Sequence, residues 1–123
     1  MGPRIGLDLV SVDAVEASIA VHGDRYLSRT YTVEELRECD GRPERLAARF
    51  AAKEAVMKAL DRGDESLPWT SIAVHRDGSG RPSLVLTGAA AELASRRGFA
   101  TFEVSLTHEA GYGAAVVLAL PEC

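Results

Sequence analysis

Apolar positions recur along this chain with two different periods, and each change of period separates predicted helices from predicted strands. Apolar or alternating runs bounded by turn residues predict five strands, at 5–10, 70–76, 82–87, 102–108 and 113–120. Helical spacing predicts four helices, from 11 or 13 to about 21, from 32 to about 39, from 43 to 60 and from 88 to 97. The order β-α-α-α-β-β-α-β-β indicates an α+β protein in which an antiparallel sheet carries helices.

Residues at several helix ends support these boundaries. Thr32 and Glu35 form a capping box, in which each side chain accepts a hydrogen bond from the other residue's backbone N–H. Gly23 is suited to end the first helix, and Pro43 occupies a favoured first-turn position in the longest one. The turn at 77–80 predicts a β-hairpin between its flanking strands.

The longest predicted helix, 43–60, is apolar around most of its circumference and should be largely buried. One stripe along it consists of small residues that allow close packing, namely Ala48, Ala51, Ala52, Ala55 and Ala59. The helix nevertheless carries five charged residues that need partners wherever they are buried. They are Arg45, Arg49, Lys53, Glu54 and Lys58.

The charges of this helix form two sets. Glu54 and Lys58 are i,i+4 neighbours in the favourable orientation. On another side, three cations form a ladder of like charges, Arg45, Arg49 and Lys53. Such a ladder is destabilising unless an anion binds to it or acids elsewhere, such as Asp40 or Glu44, neutralise it. Both interpretations remain open at this point.

Asp8 is the lone carboxylate of the first predicted strand. It shares a face with Gly6, whose missing side chain lets another group approach closely. A carboxylate in a buried strand needs a cation, a metal ion or N–H donors, so a salt bridge to the long helix and a metal site are both open. Together with Glu54, Asp8 would suit Mg²⁺, which takes one or two protein carboxylates and completes its shell with water and phosphate oxygens.

His108 ends the strand 102–108 and leads into a tight turn. A histidine there is more often a hydrogen-bonded turn residue than a catalyst, and it becomes a candidate only if it shares a cleft with Asp8 and Glu54. Two carboxylates beside a run of cations are typical of phosphate-transfer sites. The chain contains no P-loop and no G-x-G-x-x-G, which argues against a nucleoside-triphosphate site.

Composition narrows the protein class. The 123 residues are enough for one domain, 1–123, with its own core. A net charge of −4 argues against nucleic-acid binding, although residues 25–62 hold nine of the fourteen Lys and Arg and only seven acids. Cys39 and Cys123 are expected to be free thiols in a reducing compartment. No apolar leader or membrane-spanning run is present, so a cytoplasmic protein without a membrane partner is expected.

Motifs spread over nearly the whole chain resemble those of the 4′-phosphopantetheinyl transferases of the holo-acyl-carrier-protein synthase type. The most specific match is residues 46–59, LAARFAAKEAVMKA, in the long helix. The other matches, in the family's order, are residues 6–10, 26–35, 80–82 and 104–108. The resemblance implies the 4′-phosphopantetheinyl transferase fold.

The resemblance also implies an activity, the Mg²⁺-dependent transfer of 4′-phosphopantetheine from coenzyme A to a serine of an apo carrier protein, with release of 3′,5′-ADP. The carrier could serve fatty-acid, polyketide or peptide synthesis. Asp8 and Glu54 would hold Mg²⁺, and Lys58 would contact the transferred or departing phosphate. Glu54, directly or through a bound water, is the candidate base for the serine proton.

The family further implies contacts to coenzyme A and an assembly. The contacts would come from Arg49, Lys53, Lys58, Gly80, Arg81, Pro82 and His108. The assembly would be a homotrimer with active sites between subunits, in which residues 80–82 reach the nucleotide bound to a neighbouring chain.

Two departures from the family pattern stand out. Where members often carry an arginine that grips the acidic carrier protein, this chain has Ala14, so carrier binding is expected to shift to Arg25 and Arg29. The G-T-G that commonly follows the long helix is replaced by residues 61–63, Asp-Arg-Gly. An alternative hypothesis is a non-enzymatic domain of the same fold that binds coenzyme A or a carrier. The retained Asp8, with Glu54 and Lys58, argues against it.

Overall fold

The structure, a computed structural model, describes residues 1–122 as five strands, five α-helices and one 3₁₀ turn. The strands are β1 (Arg4–Ser11), β2 (Ile72–Arg76), β3 (Pro82–Leu86), β4 (Phe99–Glu109) and β5 (Tyr112–Pro121). The helices are α1 (Val12–His22), α2 (Asp24–Thr30), α3 (Val33–Cys39), α4 (Pro43–Leu60) and α5 (Gly88–Arg97), and the 3₁₀ turn is Trp69–Ser71. Cys39 is a buried free thiol, as predicted, and Cys123 lies outside the described residues.

The predicted helix signals are present as hydrogen bonds. Ser11 caps α1, since its hydroxyl accepts from the Ala14 N–H at 3.3 Å. The capping box of α3 is complete: the Thr32 hydroxyl accepts from the Glu35 N–H at 3.2 Å, and the Glu35 carboxylate accepts from the Thr32 N–H at 3.0 Å. The α+β class and every predicted element are confirmed.

Helix α2 is the one α-helix that the sequence did not predict, and it makes the order of helices and strands β-α-α-α-α-β-β-α-β-β. Gly23 has a φ of 54°, so the chain reverses there and starts a second helix directly after α1. Four of the seven residues of α2 are weak helix formers, namely Asp24, Tyr26, Ser28 and Thr30. Tertiary packing holds the helix instead, because Tyr26 and Leu27 join a core cluster with Tyr31 and Leu46.

Five strands form two sheets rather than one. An antiparallel sheet has the order β1-β5-β4, and the hairpin β2–β3 stands as a separate two-stranded sheet. Helix α4 crosses the larger sheet and packs against its inner face. In the register of β1 and β5, Gly6 lies opposite Val117 and Asp8 opposite Ala115, which directs Asp8 to the same face as Gly6, towards α4.

Two glycines let α4 lie almost in backbone contact with the sheet. A Cβ at Gly6 would overlap the carbonyl oxygen of Ala55, and one at Gly113 would overlap the backbone nitrogen of Ala48. The predicted alanine stripe of α4 faces these glycines and is buried. Gly6 therefore serves as the close-approach position that the sequence indicated, and the group that approaches is the helix backbone.

Gly6→Ala should destabilise the protein by about 3 kcal/mol or more, since the added methyl group meets backbone atoms that have no rotamer to change. Urea unfolding followed by circular dichroism measures the effect. Gly78→Ala is the matched control, because Gly78 lies in a turn with no atom within 4 Å of a new Cβ. Equal stability of the two variants would contradict this account of the contact between helix and sheet.

The outer face of β1 corrects one expectation. The strand was predicted to be buried, yet Ile5, Leu7 and Leu9 are 69%, 65% and 63% exposed. Only the face of Gly6 and Asp8 is covered, because α4 packs on that side alone. Among the helices of residues 1–122, none combines the length and apolar character needed to cross a membrane.

Candidate active site

Asp8 of β1 and Glu54 of α4 meet where the helix crosses the strand. Asp8 Oδ1 accepts a hydrogen bond from Lys58 Nζ at 3.0 Å, and Lys58 also donates to the carbonyl of Leu7 at 3.0 Å. Lys58 thus pairs with Asp8 of β1 rather than with Glu54 of its own helix. Asp8 Oδ2 is buried and has no hydrogen-bond partner. The salt bridge considered from the sequence therefore exists and still leaves one carboxylate oxygen free for a further ligand.

The two carboxyl groups influence each other's protonation. Burial and the neighbouring Asp8 carboxylate raise the pKa of Glu54 to about 7, and the charges of Lys58 and Arg62 only partly oppose this rise. Burial also acts to raise the pKa of Asp8, but a proton that the neighbouring Glu54 carboxyl can share with it, together with the hydrogen bond and charge of Lys58, outweighs burial and holds the pKa below its usual value. Asp8 is therefore the carboxylate that stays ionised, and Glu54 is the one that can take up a proton near neutral pH.

A cleft of about 470 Å³ opens beside Glu54. Charged residues line part of it and apolar residues line the rest; the lining consists of Glu54, Met57, Lys58, Asp61, Arg62, Gly63 and Trp69. Trp69 is held in place by contact with Phe50, with the ring centroids 4.7 Å apart. No sequence signal pointed to Trp69, because its position in the cleft depends on how the 3₁₀ turn packs against α4.

The donor set fits a magnesium ion. Two carboxylates lie together, one of them carries an unpaired buried oxygen, and a cleft next to them leaves room for water and phosphate oxygens. No group of three or more metal-ligating side chains occurs within residues 1–122. That argues against a site enclosed by protein ligands, such as a structural zinc site, and is compatible with an ion held by one or two carboxylates.

Lys53 is placed differently from the expectation that it contacts coenzyme A. Its side chain is fully buried, and Nζ donates to Glu35 Oε1 at 2.7 Å and to the carbonyls of Trp69 and Ile72. These three acceptors satisfy all of its N–H donors. Burial lowers the pKa of Lys53, although the charge of Glu35 counteracts the shift. These contacts give Lys53 a structural role, and its contact with coenzyme A stays a prediction.

Arg49 is also neutralised from within the protein, by an acid other than the two considered. Its Nη2 lies 2.6 Å from Glu38 Oε1, and Nη1 donates to Cys39 Sγ and to the carbonyl of Glu35. Arg49 and Lys53 of the ladder are thus neutralised by acids of α3, not by Asp40 or Glu44, whereas Arg45 donates to the carbonyl of Glu38. Unlike Lys53, Arg49 keeps a free donor, because its buried Nε has no hydrogen-bond partner.

A second pocket, of about 340 Å³, is lined by cations and includes Arg49. Its lining consists of Arg45, Ala48, Arg49, Arg76, Leu106, Thr107 and His108. His108 therefore lies here and not in the cleft of Glu54. Arg76 was not predicted as a site residue, since it reaches this pocket only through the pairing of β2 with β3 and the packing of α3. The pocket is an anion site by composition.

The remaining candidates lie apart from the Glu54 cleft in the single chain. Gly80, Arg81 and Pro82 occupy the turn and start of the β2–β3 hairpin, and Arg81 pairs with Glu103 at 3.3 Å on an exposed groove. Arg25 and Arg29 are exposed on α2. The structure thus joins Asp8, Glu54 and Lys58 into one site, whereas the other candidates face different parts of the surface.

Two carboxylates and a lysine beside a cleft form a site that is typical of enzymes that transfer phosphate groups. A family model described as the 4′-phosphopantetheinyl transferase superfamily matches residues 4–117, so the chain belongs to that superfamily. Its relatives within the superfamily are holo-[acyl-carrier-protein] synthases, which confirms the type and the enzyme class that the motifs predicted.

The relatives match along almost their whole length. The holo-[acyl-carrier-protein] synthase of Koribacter versatilis is 41% identical over 117 residues, 92% of this chain and 94% of its own. That of an Anaeromyxobacter species is 42% identical over 120 residues, covering 93% and 92%. The crystal structure of the Helicobacter pylori enzyme in complex with coenzyme A superposes with a TM-score of 0.84 at 28% identity, covering 94% of this chain and 98% of that one.

Proposed function

We propose that this chain, acting as a single catalytic domain, transfers 4′-phosphopantetheine from coenzyme A to a serine hydroxyl of an apo acyl carrier protein and releases 3′,5′-ADP. The observation that carries the proposal is the convergence of Asp8, Glu54 and Lys58 beside a cleft, on the fold of a superfamily that performs this transfer. The Helicobacter pylori relative was crystallised with coenzyme A, which supports the same donor here.

Each residue of the site has a role in this reaction. Asp8 and Glu54 would hold Mg²⁺, which neutralises charge on the donor diphosphate when bound. Lys58 is more than half exposed, so its ammonium can donate to a phosphate oxygen while it keeps contact with Asp8. The serine oxygen forms the new bond to the phosphorus that bears pantetheine, and the bond from that phosphorus to the departing 3′,5′-ADP breaks. The serine proton passes to the Glu54 carboxylate, directly or through a bound water.

The second pocket suits the 3′-phosphate of coenzyme A. Its cations are Arg45, Arg49 and Arg76, with His108 beside them, and the unpaired Nε of Arg49 is a buried donor without an acceptor. Arg49 and Glu54 are five residues apart on α4, so they point about 140° apart around the helix axis. The two pockets of one chain therefore lie on different sides of α4. A ligand that uses both kinds of pocket would bind between two chains, with one pocket supplied by each.

This geometry supports active sites between subunits, and the resemblance to the family implies that the assembly is a homotrimer. The exposed row of Ile5, Leu7 and Leu9 continues across the sheet to Leu118 of β5, and a single chain leaves this apolar face open. An apolar sheet face of this kind is typical of a protein interface. In such an assembly the hairpin residues 80–82 of one chain could reach the nucleotide bound to another.

Sedimentation equilibrium at micromolar concentration should give three times the chain mass of 13.1 kDa. Leu7→Glu should shift the protein to monomers, since a charge replaces an apolar side chain at the centre of the exposed row. If the active sites lie between chains, the turnover rate of Leu7→Glu should fall as the assembly is lost. Val33→Glu is the control, because Val33 is 68% exposed on α3, away from this face. A wild-type chain that is monomeric and active would refute the assembly.

The activity itself is tested by incubating the protein with coenzyme A, Mg²⁺ and a panel of apo carrier proteins, and measuring the mass of the carriers. The proposal expects one carrier of the panel to gain the phosphopantetheine group. The competing hypothesis, a binding domain without turnover, expects binding of coenzyme A or a carrier and no gain in mass. Arg25 and Arg29 are the exposed cations of α2 that we expect to meet the carrier, where Ala14 leaves α1 without one.

A further inference from the structure

Arg62 is an exposed cation at the mouth of the active-site cleft whose charge is not committed to an ion pair. Five salt bridges occur among residues 1–122, and none of them includes Arg62. Its one side-chain hydrogen bond donates from Nη1 to the carbonyl of Glu65 at 2.9 Å. The remaining donors of its guanidinium are therefore available to a ligand.

The end of α4 places Arg62 in the cleft. Asp61 adopts a left-handed conformation with a φ of 50°, and the Arg62 N–H then donates back to the carbonyl of Met57 at 3.2 Å. This turn keeps Arg62 beside the last turn of the helix, so it lines the same cleft as Glu54 and Lys58. Its charge reaches the Glu54 carboxylate, since Arg62 is one of the groups that oppose the rise in the pKa of Glu54 caused by burial and Asp8.

Helix capping does not account for Arg62. The exposed carbonyls at the end of α4 are covered by Arg97, which donates to Leu60 at 3.1 Å and to Asp61 at 2.9 Å. The positive charge of Arg97 also stabilises this end of α4, where the helix dipole is negative. The carbonyls at the end of α4 are thus already satisfied by one arginine, and Arg62 is a second guanidinium at the same place.

We propose that Arg62 binds the diphosphate of the donor together with Lys58, as a further substrate-binding residue. The proposal rests on the proposed function. A guanidinium can present two parallel N–H groups to phosphate oxygens, whereas the ammonium of Lys58 acts as a single point charge. The pair would hold the diphosphate between two cations on the side of the cleft that α4 forms. The sequence departure at residues 61–63 thus adds a cation where the related family commonly has an uncharged G-T-G.

Isothermal titration of the assembled protein in the presence of Mg²⁺ tests this, with coenzyme A and dephospho-coenzyme A as ligands. Dephospho-coenzyme A lacks the 3′-phosphate and keeps the diphosphate. Arg62→Gln should weaken the binding of both ligands by about tenfold, the worth of a charge-assisted hydrogen bond. Arg62→Lys keeps the charge but not the two parallel N–H donors, so it should lose less affinity than Arg62→Gln. Arg76→Gln, in the second pocket, should weaken coenzyme A alone.

Arg37→Gln is the matched control, because Arg37 is exposed on α3 and lines neither pocket, and it should bind both ligands as the wild type does. Melting temperatures confirm that each variant is folded. Binding by Arg62→Gln within twofold of the wild type for both ligands overturns the proposal, and so does a loss confined to coenzyme A. A wild-type protein that binds neither ligand overturns the proposed function as well, so the two failures are distinguishable.

Discussion

Asp8→Ala and Glu54→Ala should each lower the rate of phosphopantetheine transfer by about a hundredfold or more, with the fold intact. Each variant removes one of only two carboxylates at the site, so the loss of charge stabilisation at the diphosphate should be worth several kcal/mol. Neither side chain belongs to the core, since Asp8 and Glu54 are both partly exposed. Single-turnover transfer to an apo carrier, read by mass, measures the effect, and circular dichroism verifies the fold.

Direct titration with Mn²⁺, followed by electron paramagnetic resonance, separates loss of the metal from loss of the base. Asp8→Ala should weaken binding of the ion even without coenzyme A. Glu92→Ala is the control, because Glu92 is an exposed acid on α5, far along the chain from the site. Near-wild-type transfer by either site variant would end the assignment of Asp8 and Glu54 as metal ligands.

Lys53→Met should destabilise the protein by about 3–5 kcal/mol, since it leaves the carboxylate of Glu35 buried without its cation. The same variant should leave the affinity for coenzyme A nearly unchanged where the protein is still folded, because Lys53 has no exposed atom to offer a ligand. Urea unfolding and titration with coenzyme A measure the two effects on the same protein.

A second variant makes the test specific for the pair. Lys53→Met with Glu35→Gln removes both charges, and the amide oxygen keeps one of the two N–H donors, those of Thr32 and Val74, which now bind separate carboxylate oxygens. The double variant should be more stable than the sum of the two single losses predicts. If Lys53→Met retained full stability and lost coenzyme A affinity, Lys53 would be a ligand contact after all.

Signals that operate within a few residues were sufficient to predict most of the fold. The capping box of Thr32 and Glu35 depends on a spacing of three residues, and the close approach at Gly6 depends on the absence of one side chain. Helix α2 escaped prediction because its stability comes from Tyr26 and Leu27 in a cluster built from distant segments. The exposure of the outer face of β1 was not predicted either, because an apolar strand has the same sequence pattern whether its own chain or a second one covers it.

For the candidate site, the sequence predicted which residues come together better than it predicted their salt-bridge partners. Asp8, Glu54 and Lys58 do converge, but the partner of Lys58 is Asp8 on a strand about fifty positions away, which no local rule specifies. The acids that neutralise Arg49 and Lys53 come from α3, whose angle against α4 is set by packing. Pattern alone shows that a buried cation needs an acid, and only the folded chain shows which one.

The contact of α4 with the sheet through Gly6 and Gly113 bears on how mutations elsewhere would affect catalysis. Asp8 lies two residues after Gly6, and Glu54 directly precedes Ala55, whose carbonyl faces that glycine. The separation of the two carboxylates is therefore set by main-chain atoms in contact, with no intervening side chain whose size could change it. Substitutions that repack the rest of the core should alter stability long before they alter this spacing, so the chain can accumulate such changes and keep the two carboxylates in register.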